Sequence, residues 1–191
     1  MSRVEVDKQV SDLFQLILIE IEKFRLQTNS EVVNPRLFAI NRKVRIMKED
    51  FSSYDRESLQ GYYAILESGQ KIIVYKENLG AAMIRKVIAH ELSHILLDSI
   101  QEQIQTPGRV IDLFDLDLDG AYNENEQIRE LACEKAAREM LMPETIFVFE
   151  YKRLSGTITN REQVLQALAS VFTVPLIDVE TRLREIGTPD K

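Results

Sequence analysis

Both histidines of this 191-residue chain fall in one pentapeptide, His90-Glu91-Leu92-Ser93-His94. On an α-helix, residues i and i+4 share a face, with Cβ atoms about 5–6 Å apart. The two imidazoles can therefore grip one metal ion between them. Glu91 lies on the adjoining flank, where it can hydrogen-bond a water on that metal and act as its base rather than ligate the ion. The motif works only on a helix, and its flanks supply one. Ala81 to Ala89 lead in with good helix formers, and Ile84, Val87, Ile88, Leu92 and Ile95 recur at spacings of three and four, so one stripe is buried. The alternative is a core helix with two incidental histidines.

A catalytic tetrahedral site needs a third protein ligand, with water in the fourth position. The chain has no third histidine, and Cys133 would be unusual beside this motif, so the ligand is an Asp or Glu. Downstream, Glu124, Glu126, Glu130 and Glu134 lie on a further helical pattern. Glu126, Glu130 and Glu134 form a ladder at i, i+4 and i+8. Each like-charged pair costs a few tenths of a kcal/mol, about 0.2–0.5, unless a cation compensates. A solvated acidic face is the commoner reading of such a run, but a metal facing the ladder would supply that cation. Spacing alone leaves Glu126, Glu130 and Glu134 open.

The bulk composition narrows the class. Hydrophobic residues make up 45% and charged residues 29% of the chain, enough for a real core. The length suits one domain with a small appendage. A net charge of −7 argues against non-specific nucleic-acid or membrane-surface binding. A single cysteine excludes an internal disulfide and fits a reducing compartment. The N-terminal residues are charged, and the apolar run Leu13 to Ile21 is too short to span a bilayer and contains Gln15 and Glu20. The expectation is a cytoplasmic protein with no membrane partner.

Periodicity predicts a helix from about Val4 to Gln27 and a short helix from Pro35 to Asn41 capped by Asn34. Arg42 to Lys48 reads as a strand, its basic residues a solvated face. Gly61 to Leu66 and Lys71 to Tyr75 read as a hairpin around Glu67-Ser68-Gly69-Gln70. A helix from near Glu124 to Met142 is stopped by Pro143. A last pair runs from Arg161 to Phe172 and, with Thr173 as N-cap, on to Glu185. The expected organisation is a metal-binding domain over residues 1–150, with a helical pair over 151–191 packed on it.

These segments resemble the ImmA/IrrE-type metallopeptidases. The resemblance rests on Lys71-Ile72-Ile73-Val74-Tyr75, on the HELxH block, and on a helix of the form ExxANxFAxxLLMP, here Glu130 to Pro143. Phe172-Thr173-Val174-Pro175 and Arg182-Leu183-Arg184-Glu185-Ile186-Gly187 match the family's ending. The resemblance covers roughly Pro35 to Gly187. It implies an α+β, zincin-like fold, mostly helical with a small three-stranded antiparallel sheet and a C-terminal helical pair. It also implies one catalytic Zn²⁺ on His90, His94 and Glu130, with Glu91 as general base. The chain departs from the pattern at Glu134, where the family has Asn, at Ala136-Ala137 for Phe-Ala, and at Ser93 for Gly. Glu134 can therefore either orient a ligand histidine or compete with Glu130.

Between the two metal helices, Asp115 to Glu126 satisfies the D-x-D-x-D-G-x5-E template of a calcium loop. Such loops come in pairs between helices, and Leu116 and Leu118 occupy positions that are usually polar. The favoured reading is a fortuitous match without Ca²⁺.

On this reading the protein is a zinc-dependent endopeptidase. Tyr122 or Tyr151 is the candidate oxyanion donor, and the Lys71–Tyr75 strand is the sheet edge that would pair with an extended peptide. Relatives cleave helix-turn-helix repressors, which implies a cytoplasmic anti-repressor protease acting on a separate repressor. The second helix of the terminal pair carries Asp178, Glu180 and Glu185 against Arg182 and Arg184, a poor surface for phosphates, so direct DNA contact is not expected. The alternative is a non-catalytic, metal-binding regulator that acts by binding a repressor or DNA.

Overall fold

The computed structural model describes residues 3–52, 59–104 and 124–187. The first helix, α1 (Arg3–Thr28), turns Phe14, Ile17, Ile21 and Phe24 inward at spacings of three and four. Phe24 stacks on Phe38 of α2 (Pro35–Asn41), with ring centroids 4.3 Å apart. Asn34 starts α2 by accepting from the backbone N–H groups of Arg36 and Leu37, and Pro35 takes a first-turn position where its missing N–H costs nothing.

Three strands follow: β1 (Arg45–Glu49), β2 (Gly61–Ile65) and β3 (Lys71–Lys76). β2 and β3 form the expected hairpin, closed at Gly69 with φ +77°. The sheet is mixed rather than antiparallel, with order β1-β3-β2 and β1 parallel to β3. The hairpin fills one side of β3, and β1 takes the other side in the same direction as β3. The expected sheet edge is corrected as well: Lys71–Tyr75 belongs to the central strand, and β2 lies at an edge. Ile72, Ile73 and Val74 are all buried, Ile73 in the main core and its two neighbours in a small cluster with Phe51. A strand covered on both faces carries a continuous apolar run, whereas a half-buried one alternates.

Helix α3 (Ala81–Ile104) carries the pentapeptide and packs on α4 (Glu124–Leu141), α1, α2 and the sheet. Gly61 sets the approach of β2 to α3. A Cβ at this position would stand 2.3 Å from Val87 Cγ1 and 2.7 Å from the Val74 carbonyl oxygen. Gly61→Ala should therefore push the strand off the helix and cost about 1–3 kcal/mol, as overpacking does. A urea-denaturation midpoint equal to wild type would refute that.

The remaining helices are α5 (Glu144–Ser155), α6 (Arg161–Phe172) and α7 (Leu176–Glu185). Helix α5 is not among the elements that periodicity predicts: Pro143, which stops α4, also opens α5, which buries Phe147 and Leu154. Thr173 does not cap α7. It ends α6 in the left-handed region at φ 52°, while Val174 N–H donates to the Ala169 carbonyl, and Pro175 precedes α7. The pair is fastened to the rest by Lys86–Asp178 (2.8 Å) and by Arg182, which donates to the Met142 carbonyl at 3.1 Å and pairs with Glu139. Among the described residues, no single helix is long and apolar enough to cross a membrane.

Candidate metal centre

His90 and His94 project from one face of α3 toward α4, where Glu130 meets them. The His90 and His94 Nε2 atoms are 3.1 Å apart. Glu130 Oε1 lies 3.1 Å from His94 Nε2, and its Oε2 lies 3.3 Å from His90 Nε2. Donors on a tetrahedron with bonds of about 2.0 Å are about 3.3 Å apart along each edge. The three side chains thus have the spacing and chemistry to share one divalent ion. Among the described residues they form one group in which His, Cys, Asp or Glu ligand atoms converge this closely. Glu126, one turn earlier on α4, is not in that group. Glu134, one turn later, reaches the other ring nitrogen of His90, with Oε1 3.6 Å from Nδ1.

The electrostatics separate the two carboxylates at the centre. Burial raises the pKa of Glu91, an effect that outweighs the opposing pull of His90 and His94. Glu130 shows the reverse: burial opposes its charge, but hydrogen bonds and Coulombic attraction from both histidines drive its pKa far below the usual carboxylate range. Burial also opposes the charged form of His90, yet Glu130, Glu91 and Glu134 together raise its pKa. The two carboxyls are thus pushed in opposite directions, Glu91 toward its neutral form and Glu130 toward its anion.

The sequence reading missed the support on the sheet side. The Tyr63 backbone N–H donates to Glu91. Its ring stacks on His94, with centroids 5.7 Å apart and planes 11° from parallel. Its hydroxyl donates to Asp98 Oδ2 at 2.6 Å, and Arg129 of α4 donates to Asp98 Oδ1 at 2.6 Å. Burial first, then the charge and hydrogen bond of Asp98, raises the Tyr63 pKa far above the ordinary phenol range. One signal was available: Asp98 follows His94 by four residues and shares its helix face.

Of the two candidate oxyanion tyrosines, Tyr122 lies outside the described residues, and Tyr151 is on α5, packed against the main core. The calcium-loop template also falls outside them, except for its last three residues, Glu124 to Glu126. Cys133 is buried on α4, and burial pushes its thiol pKa well up.

A mostly helical scaffold, a small mixed sheet and a helix-borne His–His–Glu cluster together define a zincin-like, metallopeptidase-type protein. The chain belongs to the Peptidase_M78 family, described as the IrrE N-terminal-like domain, whose model matches residues 40–184. A solved structure, a transcriptional regulator of Mycobacterium tuberculosis, shares the fold with a TM-score of 0.60 at 14% sequence identity. The match covers 97% of this chain and 52% of that one, so the chain spans about half the length of its structural relative. No curated protein sequence matches the chain.

Proposed function

We propose that the protein is a zinc-dependent endopeptidase of the cytoplasm that cleaves a separate helix-turn-helix repressor. The observation that carries this reading is the convergence of His90, His94 and Glu130 at tetrahedral-edge spacing, with Glu91 beside them. When bound there, Zn²⁺ supplies a Lewis acid that acidifies water and polarises the scissile carbonyl. Glu91 takes the proton from the attacking water and delivers it to the leaving amine, and its raised pKa suits a group that must do both. Glu130, held anionic, keeps its place as a ligand.

The proposed substrate edge moves to β2. Leu66 N–H donates to the Gln70 carbonyl, and Lys76 N–H to the Gln60 carbonyl. Bonded and non-bonded pairs alternate along an antiparallel ladder. The backbone groups of Gly61, Tyr63 and Ile65 therefore turn away from β3; the Tyr63 N–H is given to Glu91, so an extended peptide adding through the other groups of this edge would lie beside Glu91. The repressor as substrate is supported by the family and by a structural relative described as a transcriptional regulator.

The test is metal analysis of the purified protein, together with incubation with a candidate repressor. The expected results are one zinc per chain, loss of that zinc in Glu130→Ala and His94→Ala, and repressor cleavage that a chelator abolishes. Repressor binding or release without cleavage, by chelated and zinc-loaded protein alike, would replace this reading with the non-catalytic regulator.

A further inference from the structure

Resting on the zinc reading, we infer that Glu134 is a positioning residue for His90, and that Arg138 and Glu185 hold it in place, so the C-terminal helix α7 braces the metal centre. A histidine that ligates through Nε2 carries its proton on Nδ1, and that N–H ordinarily donates to a carboxylate or carbonyl, which fixes the tautomer and the ring plane. His90 Nδ1 is buried and has no hydrogen-bond partner. The carboxylate facing it is Glu134, with Oε1 3.6 Å away, within one side-chain adjustment of a bond.

The other oxygen of Glu134 is already held. Arg138 Nη1 donates to Glu134 Oε2 at 2.8 Å, one helical turn along α4. The same guanidinium grips Glu185 Oε1 through Nε at 3.0 Å and Nη2 at 2.8 Å. Glu185 is the last residue of α7, and its Oε2 accepts from Arg182 at 3.3 Å. A line of charged side chains thus runs from α7 through α4 and ends at Glu134, facing the His90 ring on α3 across 3.6 Å. Arg138 also offsets the negative charge that Glu134 adds beside Glu91 and Glu130. A glutamate is therefore tolerated where the family has a neutral amide.

The experiment measures zinc affinity by competition with a chromophoric chelator, together with the His90 ring resonances in long-range ¹H–¹⁵N spectra. Glu134→Ala should weaken zinc binding about 10- to 100-fold, the usual effect of removing such a partner. One-to-one stoichiometry and the unfolding midpoint of the metal-free protein should be kept. Glu134→Gln, which retains an acceptor oxygen, should fall between wild type and Glu134→Ala. Arg138→Met should weaken zinc binding in the same direction, and adding it to Glu134→Ala should cost nothing more, because both act through one contact. The zinc-loaded wild type should show a downfield Nδ1–H on His90 that Glu134→Ala removes.

Zinc affinity within twofold of wild type in both Glu134 variants overturns the brace and leaves the metallopeptidase reading standing. A wild type that takes up no stoichiometric zinc overturns both. If Glu134→Ala fails to fold, Glu134→Leu, which fills a similar volume and carries no acceptor, takes its place with the same expected loss and the same overturning result.

Discussion

Glu91→Gln should keep its zinc and its fold and lose about 10²- to 10⁴-fold in kcat/KM for repressor cleavage, the range set by removing a general base. At 1.36 kcal/mol per tenfold, that is about 3–5 kcal/mol of transition-state stabilisation. The substitution is nearly isosteric, and the glutamine carbonyl can still accept from the Tyr63 N–H that now binds the carboxylate. It also removes a charge that burial disfavours, so the folded state should be no less stable than wild type. Zinc content, urea midpoint and cleavage rate measured on one preparation separate these effects. A Glu91→Gln protein that cleaves within tenfold of wild type would sink the assignment of Glu91 as base.

How much of this was legible in the sequence varied with the kind of signal. Helix α3 and the hairpin were readable because local period and turn chemistry act within a few residues, as in the 3–4 stripe of α3 and Gly69 at the turn. The sheet order was not readable, because pairing β1 with β3 depends on contacts far apart in the chain. The run Ile72-Ile73-Val74 did carry a clue, since three consecutive buried apolar residues mark a central strand and argue against an edge. Helix α5 was lost because one proline both ends α4 and opens the next helix. Thr173 misled because a threonine before Val-Pro reads as a cap, whereas the backbone uses it in the left-handed region to close α6. At the metal centre, the pentapeptide named two donors, but the ladder Glu126, Glu130 and Glu134 could not be resolved by spacing. Crossing α3 over α4 resolves it geometrically, bringing Glu130 to the Nε2 atoms and Glu134 to the far nitrogen of His90. Tyr63 was invisible for the same reason as the sheet order: its place over His94 comes from tertiary packing.

The second large effect concerns stability rather than chemistry. Asp98 is 2% exposed and is the shared acceptor for Tyr63 and Arg129, which come from the sheet and from α4. Asp98→Ala strands a phenol and a guanidinium where a carboxylate had held both. Removing one member of a buried ion pair costs about 3–5 kcal/mol, because the other charge is left uncompensated. Arg129 keeps Gln101 as an acceptor at 2.9 Å, and its side chain is 26% exposed, so the loss should lie near about 3 kcal/mol. For a chain of this size that is a fall of about 6–12 °C in Tm. Asp98→Asn, which retains one acceptor oxygen, should lose less. The damage should also reach the metal site, because the Tyr63 ring that stacks on His94 is anchored through the hydroxyl that Asp98 holds. Zinc affinity should therefore drop in Asp98→Ala even well below its Tm. Tyr63→Phe, which keeps the ring and deletes only the anchor, should show a smaller drop in the same direction. A thermal midpoint unchanged in Asp98→Ala would mean that water replaces the carboxylate at no cost, and that Asp98 does not fasten the sheet to the metal helices.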